Sequence, residues 1–240
     1  LFSRGDVEHF SLLVTSSLPR EGKTSIVTNL GRALASAGES VVIVDCDWRR
    51  PMLHNKFHMD RRKGGITSYL MQPDLDIRTC IHNVAPNLDI LPCGPIPPDP
   101  PKLLGSARLK ELIDELKRQY RWVLIDSPPL VGLSDAQILS SACDGVCLVI
   151  RRNILDRTVA ERMVQQLRKV SPNVLGAVFN DVDFRSAYYA RYYKYGGYYS
   201  YYYYYTTKDD KDGDKNKSII ERLRKPREER KVSGGTFFDS

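Results

Sequence analysis

Ser11-Leu12-Leu13-Val14-Thr15-Ser16-Ser17-Leu18-Pro19-Arg20-Glu21-Gly22-Lys23-Thr24 is the stretch that decides the fold. An apolar, strand-like run leads into a short loop that closes on Gly-Lys-Thr, and residues 23 to 37 then show helical spacing, with Gly38 placed to end the helix. Strand, loop and helix in that order form the context a P-loop requires. In such a loop the backbone N–H groups and the helix N-terminus hold phosphates, Lys23 neutralises the β/γ oxygens, and the Thr24 hydroxyl reaches magnesium. Ser17, Pro19, Arg20, Glu21, Gly22, Lys23, Thr24 and Ser25 are therefore the candidate nucleotide contacts. Ser17 stands where the common pattern opens on glycine. An ordinary strand-to-helix turn with a surface lysine is the plain alternative.

Outward from this loop the same alternation repeats. Apolar runs at residues 41–44, 88–91, 122–125, 145–150 and 174–179 read as strands. Residues 101–120, a short stretch after Ser134, and residues 156–170 read as helices, the first through Leu109, Leu112, Ile113 and Leu116 at helical spacing. Near-continuous apolar strands alternating with helices indicate an α/β fold, a doubly wound and mostly parallel sheet with helices on both faces.

Two acidic sites end apolar strands, where side chains meet the crevice at the carboxyl edge of a parallel sheet. One is Asp45-Cys46-Asp47-Trp48-Arg49-Arg50-Pro51 after residues 41–44. The other is Asp126-Ser127-Pro128-Pro129 after residues 123–125. Singly, each aspartate also suits a helix cap. Together with one P-loop, three of them suit a magnesium–phosphate site, in which one or two carboxylates serve the metal and another is free to act on a nucleophile. Arg49 and Arg50 have three readings: a phosphate contact, a contact with a neighbouring subunit, or solvated surface arginines.

The set Pro19-x-Glu21-Gly22-Lys23-Thr24, Asp45-x-Asp47-x-Arg49-Arg50-Pro51 and Ile125-Asp126-Ser127-Pro128-Pro129 resembles the bacterial tyrosine kinases, or BY-kinases, autokinases that govern capsule and exopolysaccharide synthesis. The resemblance runs from about residue 1 to 205 and includes the proline-rich stretch at residues 91–106. The aspartate-bearing strands also suit partition and septum-site ATPases of the same fold type, which switch a dimer without phosphorylating protein. Those carry a signature lysine where this chain has Leu18.

The resemblance implies an ATP-dependent protein-tyrosine autokinase using ATP and Mg2+. Lys23, Asp45, Asp47 and Asp126 would be catalytic, with Thr24, Asp47 and Asp126 at the metal. Asp45 would draw the proton from the incoming tyrosine hydroxyl, whose free pKa is about 10. Asn180 resembles the family's base-contacting position, and a capping role in a turn remains open for it. The family also implies a transmembrane adaptor, in another chain or in an upstream part. A homo-oligomer with tails phosphorylated between subunits is implied as well, on the cytoplasmic face of a bacterial plasma membrane. The family's Glu-x-x-Arg-x-x-Arg oligomerisation motif is missing; Leu1-Phe2-Ser3 resembles the residues that follow it, so the fragment is expected to start there. Arg20 departs from the usual small residue.

Residues 1–184 are expected to form the kinase domain, 185–205 a tyrosine-rich tail, and 206–240 a charged and disordered extension. The tail holds twelve of the fourteen tyrosines, Tyr188, Tyr189, Tyr192, Tyr193, Tyr195, Tyr198, Tyr199, Tyr201, Tyr202, Tyr203, Tyr204 and Tyr205. These are the expected phosphoacceptors, because a tethered cluster of hydroxyls reaches a neighbour's site at high effective concentration. A sticky aromatic segment for self-association is the other reading.

Composition narrows the classes further. Five scattered cysteines form no C-x-x-C pair, which reads as reduced core residues. No apolar run approaches the roughly 20 residues of a membrane span, and no leader opens the chain. Much of the Lys and Arg behind the net charge of +7 lies beyond Arg185, so the folded part is closer to balanced; no nucleic-acid reading motif accompanies it, and nucleic acid is not an expected partner.

Overall fold

Helices cover the central strands of the sheet on both sides. Six of the seven residues of β1 (Phe10–Ser16) and all five of β2 (Val41–Asp45) are buried. The computed structural model describes residues 8–60, 63–131, 134–152, 157–170 and 173–182, all within the compact unit Leu1–Val182. The tyrosine cluster at 188–205 and the stretch 206–240 lie outside the described residues.

With β3 (His82–Ala85), β4 (Leu88–Leu91), β5 (Trp122–Asp126), β6 (Gly145–Arg151) and β7 (Val174–Asn180), the strands form one sheet in the order β3-β4-β2-β5-β1-β6-β7. All neighbours pair in parallel except β3, which runs antiparallel to β4. Period-2 alternation divides the strand side chains between two cores. Leu12, Val14, Val41, Ile43 and Leu124 pack under α1 (Lys23–Ser36) with Val27 and Leu34. Leu13, Val42, Val44, Val123 and Ile125 meet the apolar stripe Leu109, Leu112, Ile113 and Leu116 of α5 (Ala107–Gln119) on the other face.

The structure corrects one expected element and adds others. The expected helix at 101–120 is two, α4 (Pro100–Leu104) and α5, broken at Gly105 and Ser106. Ser106 starts the second by accepting the Leu109 amide on its Oγ at 3.3 Å, an N-cap that a continuous helix would not need. Between β2 and β4 the chain also forms α2 (Leu53–Lys56), α3 (Ile66–Met71), a 3-10 turn (Ile77–Cys80) and β3. Two helices, α6 (Asp135–Ser140) and α7 (Arg157–Val170), follow β5 and β6 as expected. Among the described residues no helix is long and apolar enough to cross a membrane.

The central position of β1 positions the site. The helix that leaves β1, α1, packs on one face of the sheet and the helix that leaves its neighbour β5, α6, packs on the other, so β1 and β5 end at a topological switch point where parallel sheets leave a crevice. β2 and β5 end in the same crevice, with Asp45 and Asp126 as register partners.

Candidate active site

The loop after β1 is built to present free amides. Gly22, at the start of α1, has φ 97°, and α1 has neither a side-chain cap nor an acidic residue in its first turn. First-turn N–H groups left without side-chain partners, together with the helix dipole, favour an anion. A Cβ on Gly22 would lie 2.2 Å from Nδ2 of Asn180. The conformation favours glycine, and any larger residue would also have to push the Asn180 amide aside.

The side chains expected from the sequence converge here. Lys23 is buried, and its Nζ stands 3.9 Å from Oδ2 of Asp47. Thr24 donates its hydroxyl to Oδ2 of Asp126 at 2.6 Å. Asp45 accepts the amides of Asp47 and Leu53, one on each oxygen, both at 3.2 Å. This folds the segment after β2 back over its own end and brings Asp47 to face Lys23. Asp47 in turn accepts the Arg50 amide at 3.1 Å.

Three buried carboxylates cluster here, with a buried ammonium beside Asp47 and Asp126, and leave an excess of negative charge. Burial, reinforced by Asp126 nearby, holds the Asp45 carboxyl well above the usual carboxylate range. Asp47 is raised by burial against the pull of Lys23. Burial pushes Asp126 to about 7 despite the Thr24 hydrogen bond and Lys23. A divalent cation relieves this imbalance by replacing protons with positive charge.

The donor set fits magnesium. Oδ1 of Asp126 is buried without a hydrogen-bond partner beside the Thr24 hydroxyl. Among the described residues no group of three ligating side chains makes a metal cage, as expected for an ion that binds one or two carboxylates and takes its other ligands from water and phosphate.

The remaining candidates sit around this centre. Ser17 is buried, with an Oγ lacking a partner, while Pro19 and Arg20 are exposed on the loop and Arg20 adopts φ 66°. Glu21 is fully buried. Ser25 is exposed and accepts Nζ of Lys56 at 3.2 Å. Asn180 donates to the backbone carbonyl of Glu21 at 2.9 Å, which ties the end of β7 to the loop. The phosphoacceptor tyrosines lie outside the described residues.

Arg49 has a partner that none of its three readings included, because its guanidinium grips Asp135 of its own chain at 2.6 and 3.1 Å. Asp135 was not singled out from the sequence, nor were Lys56, Arg151 or Asp181. Asp135 opens a short helix and looks like any helix-starting acid; its partner lies 86 residues away. No local spacing signals such a pair.

Comparison with known proteins places this geometry. The family model for cellulose biosynthesis protein BcsQ matches residues 18–175. Tyrosine-protein kinase YwqD of Bacillus subtilis (strain 168) is 34% identical over 179 residues, covering 75% of this chain and 75% of its own. The kinase domain of the Escherichia coli tyrosine kinase ETK superposes with a TM-score of 0.72 at 27% identity, over 78% of this chain and 72% of that one. The septum site-determining protein MinD of Pyrococcus horikoshii OT3, solved with Mg-ADP, superposes with a TM-score of 0.63 at 25% identity, over 75% of this chain and 72% of that one.

Proposed function

This chain belongs to the bacterial tyrosine-protein kinases, and we propose that it transfers the γ-phosphoryl group of ATP to the tyrosine cluster at 188–205, between subunits, in the control of capsule or exopolysaccharide synthesis and export. The observation that carries the proposal is the meeting of Lys23, Thr24, Asp47 and Asp126 at the foot of α1, in a chain 34% identical to a named tyrosine-protein kinase.

The first-turn amides of α1 and Lys23 bind the phosphates. Thr24, Asp126 and Asp47 would hold magnesium, which would supply positive charge to offset that of the phosphates. Lys23 offsets charge on the transferred group, and the low-dielectric pocket strengthens that attraction. Asp45 takes the proton of the attacking tyrosine. Its two long amide bonds leave the carboxylate basic, because burial has already raised its proton affinity. Each phosphate added to the tail brings about −1.5 to −2 charges, so a heavily phosphorylated tail repels itself and its docking surface. That repulsion loosens the oligomer. A membrane-spanning adaptor completes the site and places the chain at the inner face of the plasma membrane.

The test is to incubate the chain, with a matched adaptor peptide where needed, with ATP and magnesium beside Asp45→Asn and Asp47→Asn. Asp45→Asn is expected to keep nucleotide affinity and lose transfer. Loss of metal binding by Asp45→Asn, with transfer rescued by manganese, would reverse the two roles. Phosphate release without phosphotyrosine would instead select the septum-type ATPase reading.

A further inference from the structure

Glu21 places a carboxylate inside a loop whose amides serve phosphate, and it takes one of those amides for itself. It is 0% exposed. Oε2 accepts the Leu18 amide across the loop at 2.7 Å, and Oε1 accepts the Arg151 amide at the end of β6 at 3.1 Å. The Glu21 carbonyl receives the Asn180 side chain from the end of β7. Beside these, the Arg151 guanidinium reaches Asp181 at 2.7 Å and the carbonyl of Arg20 at 3.5 Å. The loop between β1 and α1 is thus bonded to the ends of two other strands.

The loop needs such bonds. Arg20 sits at φ 66°, a conformation that is unfavourable for a non-glycine residue and persists only where the surroundings impose it. Ser17 stands at the loop's opening in place of glycine, so backbone freedom does not shape that turn.

We propose that Glu21 is a positioning residue for phosphate binding. Its carboxylate does not touch the nucleotide. It commits the Leu18 amide to the protein, fixes the span from Leu18 to Gly22 against β6, and leaves the first-turn amides of α1 free for the phosphates. The inference rests on the reading of this loop as a triphosphate site and adds what holds it in shape.

The experiment is calorimetric titration of Mg-ADP into the unsubstituted chain, Glu21→Ala, Glu21→Gln and Asp144→Asn, with thermal melts of each without nucleotide. Asp144 is the stability control: it accepts the Ser11 amide and hydroxyl and pairs with Lys117 at the opposite end of β1, far from the loop. Hydrogen bonds to a charged group are lost in Glu21→Ala, so Mg-ADP affinity is expected to fall by at least about tenfold. Glu21→Gln keeps the volume but turns an NH2 donor toward one of two N–H donors, and a smaller loss is expected. Asp144→Asn is expected to melt earlier with affinity unchanged. Wild-type affinity in Glu21→Ala, or in Glu21→Gln if the alanine variant does not fold, would overturn the inference alone. An equal loss in Asp144→Asn would reduce Glu21 to a general stability role and overturn it too. No Mg-ADP binding by the unsubstituted chain would overturn the functional reading, and the inference with it.

Discussion

Thr24 and Asp126 lie 102 positions apart in the chain and share a 2.6 Å hydrogen bond, from the Thr24 hydroxyl to Oδ2 of the aspartate. The bond joins the first turn of α1 to the end of β5 and leaves the other aspartate oxygen buried without a partner. A buried carboxylate with one oxygen unpaired carries a cost in the fold. That cost is measurable.

In the unfolded chain the Asp126 carboxyl ionises near 3.9, whereas burial raises it to about 7 in the fold against Thr24 and Lys23, with Asp47 adding to the rise. The folded state therefore holds the proton longer, and stability falls as pH rises from about 4 to about 7. Asn at this position has no proton to lose. With a chelator present, Asp126→Asn is expected to melt a few degrees above the unsubstituted chain at pH 8 and close to it at pH 5, while losing the gain in nucleotide affinity that magnesium gives. Melts at both pH values and titration of ADP with and without magnesium check this.

Gly22→Ala is expected to weaken Mg-ADP binding and to cost about 1–3 kcal/mol of stability, from the positive φ together with the approach to Asn180. The clash is with a side chain, so Asn180→Ala removes that part and leaves the φ term. The double variant is expected to be more stable than the sum of the single losses allows. Urea unfolding of the four proteins measures the coupling.

Arg49→Ala strands the Asp135 carboxylate, which is 1% exposed, without its guanidinium partner. Because Arg49 itself is 39% exposed, the expected cost is about 1–3 kcal/mol, the desolvation penalty of an unpaired buried acceptor, and not the full worth of a buried ion pair. Arg49→Ala/Asp135→Ala is expected to recover part of it. A double variant no more stable than Arg49→Ala would contradict this role for the pair.

Much of the fold was legible because it rests on patterns of period 2 and 3.6. The apolar runs at 41–44, 122–125 and 145–150 became β2, β5 and β6, and Lys23, Asp45 and Asp126 stand at strand ends or a helix start, where a local motif marks them. Where periodicity was weak the reading failed. β3 is the mixed sequence His82-Asn83-Val84-Ala85, and it is a strand only because β4 pairs with it. α2 and α3 are 4 and 6 residues long, too short to show a helical repeat. The break at Gly105 and Ser106 was written in the sequence as a glycine followed by a capping serine, but the apolar spacing on either side hid it. Glu21 was read as one loop residue among several. Its tie to Arg151 spans 130 positions and depends on the sheet order, which places β6 beside β1.

The most direct test of tyrosine phosphorylation by this chain is mass-spectrometric mapping of phosphate after incubation with ATP and magnesium, beside Lys23→Met, with a matched adaptor peptide included where the chain alone is inactive. Phosphate on tyrosines between 188 and 205 that vanishes in Lys23→Met is the expected result. An unphosphorylated cluster in a chain that binds Mg-ATP, or phosphotyrosine that persists in Lys23→Met, would contradict it.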